Sequence, residues 1–134
     1  MKLHHIGVVT GSVKKSGVLY EEQLGMHALG PAVHDPLQRV IVQFWALESD
    51  STSIELIEPM GEESPVAGFL AKGGGIAHLC YEVDDLERTL EAVLQKGAIL
   101  ISGPVPATAF QLRRIAFVIL RGIGVIEFVE KCTS

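Results

Sequence analysis

The chain has 134 residues, 48% of them hydrophobic, which is enough for one compact domain with its own core. Eleven basic residues against 16 acidic ones leave a net charge of −5, which argues for solubility and against a general nucleic-acid binder. No apolar run approaches the roughly 18–20 residues of a membrane span. The opening MKLHHIGVV also lacks the apolar stretch and cleavage site of a secretory leader, so a cytoplasmic protein with no membrane partner is expected.

In chain order, residues 2–9 read as an opening strand. Ser12 to Gly25 carries Val13, Val18, Leu19 and Leu24 among charges, and reads as a helix stopped by Gly25. Strands are predicted at about 27–33, 39–47 and 53–59. GEESPVAGFLAKGGG follows. Ser64-Pro65 predicts an N-cap with proline at the first helical position, PVAGFLAK a short helix, and Gly73-Gly74-Gly75 a flexible joint. A strand at 76–83 comes next, then a helix from Asp85 to Gly97 with Leu86, Leu90, Val93 and Leu94 at helical spacing and Asp84 or Asp85 as cap. Strands at about 98–102, 113–120 and 123–130 complete the chain. Cys80 lies in an apolar strand, so it is expected as a buried reduced thiol rather than half of a disulfide with Cys132.

The same order of elements occurs twice, and so do its landmarks. His5 of HIGVV and His78 of HLCYEV are 73 residues apart, as are Phe44 and Phe117, while Gly25 and Gly97, and Glu55 and Glu127, are 72 apart. Four landmarks in one order at one offset define an internal repeat. A single βαβββ unit leaves a sheet face uncovered, so two must pack together. The expected fold is α+β, with two tandem βαβββ modules forming a curved mixed sheet around a metal-binding cleft. One domain spans residues 1–134, with module one at about 1–60, a linker helix at about 61–75 and module two at about 76–134.

Approximate twofold symmetry brings His5, Glu55, His78 and Glu127 toward a common axis. A lone histidine beside an apolar strand is usually a hydrogen-bonded structural residue, but two histidines and two carboxylates in matched positions suit a divalent transition metal. A buried unpaired carboxylate is costly, and a metal is a physical reason to keep two. Strand alternation puts His4 on the face opposite His5. Glu58 and Glu130 also repeat, at strand ends, where solvent exposure is expected. His27 and His34 have no repeat partner and are expected at the surface, and Trp45 in the core.

These residues resemble the vicinal oxygen chelate superfamily, which includes glyoxalase I, methylmalonyl-CoA epimerase, extradiol dioxygenases and metal-free resistance proteins. LHHIGVV matches the opening strand with its ligand histidine, and VIEFVE the closing glutamate strand. The segment IELIEPMGEESPVAGFLAKGGGIAHLCYEVDDLE is similar to the centre of methylmalonyl-CoA epimerases. The resemblance implies His5, Glu55, His78 and Glu127 as ligands of one divalent ion: cobalt, manganese, nickel, zinc or magnesium. It implies a metal-dependent isomerase that moves a proton next to a thioester or carboxylate carbonyl through a metal-stabilised enolate. The substrate would be a small molecule such as an acyl-CoA, and the assembly a homodimer. Val42 and Gln43 stand where some epimerases carry a glutamate base, so Glu127 or Glu55 is the catalytic candidate. Alternatives are a glyoxalase I-like lactoylglutathione lyase and a non-enzymatic binding or resistance protein. IGVVTG and LIEPMG lack the arginine and asparagine that glyoxalase I uses for glutathione.

Overall fold

The computed structural model describes residues 1–48 and 51–132. The chain divides into two compact units, His5–Ala77 and a second made of Met1–His4 with His78–Ser134. Both are α+β with mixed sheets, as the repeat predicts. Among the described residues no helix is long and apolar enough to cross a membrane.

In the first unit, β1 (Lys2–Val9) leads into α1 (Val13–Leu24). Ser12 caps this helix, its side chain accepting from the Lys15 amide at 3.1 Å. Gly25 ends it in the left-handed region, φ 66°. Four strands follow: β2 (His27–Ala28), β3 (Val33–Asp35), β4 (Val40–Ala46) and β5 (Ser53–Pro59). The sheet order is β2-β4-β5-β1, with β3 also pairing β4. β1 and β5 are parallel, and β4 is antiparallel to β5. Val13, Met26, Trp45 and Leu56 form the core beneath α1. Gly17 sits mid-helix because Trp45 packs directly on it: a Cβ there would stand 2.5 Å from the Trp45 ring.

The strand predicted at 27–33 is two short ones. Leu29-Gly30-Pro31-Ala32 separates β2 from β3, and Pro31 has no amide to give a ladder. The linker helix also starts later than predicted, as α2 (Ala67–Ala71) with Val66 at its N-cap. Ser64 is not the cap. Its backbone closes turns instead, the amide donating to Gly61 and the carbonyl accepting from Ala67. Gly73, Gly74 and Gly75 have φ of 122°, 70° and 96°, and a Cβ on Gly74 would lie 2.7 Å from the Val9 carbonyl oxygen.

The second unit repeats the plan with β6 (Gly75–Val83), α3 (Leu86–Gln95), β7 (Ile99–Pro106), β8 (Arg114–Leu120) and β9 (Gly124–Glu130). The order is β6-β9-β8-β7. Asp85 caps α3, its Oδ1 accepting from the Arg88 amide at 3.0 Å. Leu86 and Leu90 bury against Val83, Ala116, Val118, Ile126 and Phe128. β7 runs past its predicted end at 102. Register shifts between Leu100 and Val105 keep it on β8. Gly103, at φ 88°, permits the approach, since a Cβ there would stand 2.4 Å from the Ile115 carbonyl oxygen.

Candidate metal centre

Each unit builds the same small constellation, and strand register is what builds it. In the first unit Glu55 on β5 lies opposite Gly7, two residues beyond His5 on parallel β1. Residues two apart on a strand share a face, so the His5 and Glu55 side chains meet. His5 Nε2 lies 3.2 Å from Glu55 Oε1, and both residues are buried. Phe44 on β4 pairs with Glu55 from the other side. Its ring meets the His5 imidazole edge-on, with centroids 5.3 Å apart at 75°.

The second unit matches this step for step. Glu127 on β9 lies opposite Cys80, two residues beyond His78 on β6. His78 Nε2 lies 3.0 Å from Glu127 Oε1, again in a buried pair. Phe117 on β8 pairs with Glu127 and stands edge-on to His78, centroids 5.5 Å apart at 88°. The sequence marks Phe44 and Phe117 as repeat landmarks, but the repeat alone gives them no role. The structure makes each a wall that holds its imidazole in orientation.

A carboxylate removed from water needs a compensating charge or several hydrogen bonds. In each pair a ring nitrogen and a carboxylate oxygen converge, and these are the donor types that divalent transition metals take. The residues present therefore fit such an ion.

His4 is half-buried, with its ring edge-on to Phe110 at 5.6 Å. His27 and His34 are exposed, Trp45 is buried, and Cys80 is a fully buried thiol outside any disulfide, all as expected. Glu58 and Glu130 are not the solvated strand ends the sequence suggests. Glu58 Oε1 accepts the Val13 amide at 2.9 Å. Glu130 takes the Arg114 backbone amide at 2.7 Å and the Arg114 guanidinium in a fork at 3.0 and 3.1 Å. Arg114 thereby holds the Glu130 carboxyl below the usual range, and it does the same for Glu87. Both roles depend on contacts remote in sequence, which strand-end position does not reveal.

The chain is similar to several known proteins. The Glyoxalase/Bleomycin resistance protein/Dioxygenase superfamily model matches residues 4–117. The chain is 35% identical over 107 residues to the ethylmalonyl-CoA/methylmalonyl-CoA epimerase of Cereibacter sphaeroides, covering 78% of each. It is 31% identical over 134 residues to the mitochondrial methylmalonyl-CoA epimerase of Dictyostelium discoideum, covering 97% of this chain and 78% of that one. Its fold superposes on the crystal structure of methylmalonyl-CoA epimerase from Mycobacterium tuberculosis with a TM-score of 0.87, at 27% identity, over 98% of this chain and 89% of that one.

Proposed function

Because this chain belongs to the glyoxalase/bleomycin resistance protein/dioxygenase superfamily, we propose that it is a metal-dependent epimerase that moves a proton next to the carbonyl of an acyl-CoA thioester. The observation that carries this reading is the register-built His–Glu pair, present twice in a chain whose relatives are named epimerases. His5, Glu55, His78 and Glu127 are the residues that would hold one divalent ion. The relatives' names supply the substrate class. The working form is a cytoplasmic homodimer.

The ion, when bound, supplies Lewis-acid stabilisation of the negative charge that develops on a substrate carbonyl oxygen. The chain's own residues do the rest. Glu127 or Glu55 takes the proton from the carbon next to the carbonyl onto a carboxylate oxygen, and a second group, or the same one, returns a proton to that carbon. On β4, the strand beside Glu55, the neighbouring candidates Val42 and Gln43 cannot abstract a proton. Gln43 is moreover committed, its amide donating to the Gly30 carbonyl and accepting from the Trp45 indole. Phe44 and Phe117 keep the imidazoles in place and water away from the pairs.

The test is proton exchange in heavy water with a panel of acyl-CoA thioesters and added cobalt, manganese, nickel, zinc or magnesium. Wild-type protein incorporates deuterium next to the carbonyl. Glu127→Gln or Glu55→Gln lowers the rate by about 10²- to 10⁴-fold, the usual contribution of general acid–base catalysis. Full exchange in both variants removes the carboxylates from the mechanism. Turnover of a glutathione hemithioacetal, with no exchange in any thioester, makes the chain a lyase instead.

A further inference from the structure

The repeat that matches His, Glu and Phe between the units breaks at one place. Val9 and Val40, both buried, stand four residues along β1 and β4 from His5 and Phe44. Their equivalents at the offset of 73 are Glu82 and Arg113. These two form an ion pair, Arg113 Nη1 to Glu82 Oε2 at 3.2 Å, with side chains 21% and 20% exposed. Glu82 shares a face of β6 with His78, four residues away. The ion pair therefore lies on the sheet face that carries His78 and Glu127, about 13 Å along it. Gln111 and Leu112, just before Arg113, are both left-handed without being glycine, at φ 56° and 67°. The loop is closed by the Ala107 amide on the Arg113 carbonyl at 3.0 Å and the Leu112 amide on the Ala107 carbonyl at 2.9 Å. The guanidinium so placed lies over the Phe110 ring, 5.8 Å from its centroid. It uses one nitrogen, Nη1, for both Glu82 and the Glu130 carbonyl. Nε and Nη2 make no hydrogen bond among the described residues, where no buried side-chain nitrogen lacks a partner, so both reach solvent.

We propose that Arg113 anchors an oxyanion, a carboxylate or a phosphate, at the end of the substrate remote from the reacting carbon. Nε and Nη2 form the edge of a guanidinium that takes both oxygens of one anion. Arg114, next in the chain, shows that edge filled: its Nε and Nη2 hold the two Glu130 oxygens at 3.0 and 3.1 Å. On Arg113 the same edge is open. Glu82 sits at Nη1 only, where it offsets the charge and competes for it, so an arriving anion displaces a weak, partly exposed ion pair. The first unit has buried valines at both equivalent positions, so the oxyanion has one seat in the repeat. The assignment rests on the acyl-CoA reading above and names what holds the charged end of that substrate.

Titration calorimetry tests it without turnover, on the full chain with manganese added. The probes are succinyl-CoA, propionyl-CoA, which lacks the carboxylate, and succinyl-pantetheine, which lacks the phosphates. Arg113→Met weakens succinyl-CoA binding about 10- to 100-fold, as loss of a hydrogen bond to a charged group does. The same loss with propionyl-CoA but none with succinyl-pantetheine assigns the anion to phosphate, and the reverse assigns it to the carboxylate. Glu82→Gln removes the competitor and tightens succinyl-CoA binding about 2- to 5-fold. Misfolding cannot imitate that gain, and Arg113→Met abolishes it. Where Arg113→Met fails to fold, Glu82→Gln decides alone, and the absence of a gain overturns the anchor. Arg113→Met binding all three probes as wild type does, or weakening all three alike, also overturns it. Deuterium exchange in the wild type is read in parallel: exchange with unaltered binding in Arg113→Met leaves the epimerase standing without the anchor. Arg113-dependent binding with no exchange in any thioester does the opposite, and a wild type that binds no probe overturns both.

Discussion

Glu58, near the end of β5, accepts a hydrogen bond from the Val13 amide at the first turn of α1, 45 positions earlier in the chain. The helix start is therefore capped twice, by Ser12 from its own segment and by Glu58 from the sheet. An anion there also faces the positive end of the helix dipole. Glu58→Ala is expected to cost about 0.5–2 kcal/mol, the usual range for a lost side-chain cap. Glu58→Gln keeps an acceptor and should cost less. Urea midpoints for the two variants measure the difference; equal losses would mean that the charge, not the hydrogen bond, matters.

Gly17→Ala reads as favourable by helix propensity alone, by up to about 1 kcal/mol. The Trp45 ring reverses the sign. A methyl group 2.5 Å from its Cζ2 must displace buried indole, and overpacking of this kind costs about 1–3 kcal/mol. The net expectation is destabilisation of about 1–2 kcal/mol, read as a lower melting temperature. A rise in melting temperature would show that the helix can shift away without loss.

Removing either histidine of the two pairs should have the same consequence for metal. Changes in residues that only support a ligand cost about 10- to 100-fold in affinity, so loss of a direct donor in His5→Ala or His78→Ala should exceed the upper figure. Metal titration followed by elemental analysis reads this directly. If one variant keeps full affinity while the other loses it, only one pair binds the ion.

Acid sensitivity should trace in part to Glu130. Its folded-state pKa is lowered, chiefly by the hydrogen bonds from Arg114. An unfolded glutamate titrates near about 4.3. A depressed folded value means that the stabilisation is fully present above that pH and is lost as pH falls through the folded value. Glu130→Gln removes the titration while keeping an oxygen for the Arg114 amide. Wild type should exceed the variant in urea midpoint near neutrality, and the gap should close as the pH falls through the depressed folded value. A gap independent of pH would assign the effect to packing.

The sequence carries the repeated His and Glu positions more clearly than it carries the strand edges. His5, Glu55, His78 and Glu127 are readable because a duplicated plan marks them twice, and Phe44 and Phe117 are visible by the same offset. Their partnership with the imidazoles needed register, because it depends on which residues lie opposite across three strands. β5 is read to its last residue, since Ser53–Pro59 is a continuous half-apolar run. The break at Gly30-Pro31 and the extension of β7 through Gly103 escape a periodicity argument, because a lost amide and a missing Cβ act through neighbouring strands. The duties of Glu58 and Glu130 escape it for the same reason.

The offset between each histidine and its glutamate is two residues of strand, and side chains alternate with that same period. An insertion of one residue in β5 would present Ile54 or Leu56 to His5 and turn Glu55 into the core beneath α1. Length changes are thus barred from the strands, whereas the turns around residues 61–66 and 107–113 lie outside the paired registers. Natural variation and directed evolution alike are steered to those turns. Loops can be rewritten there while both His–Glu pairs are inherited unaltered.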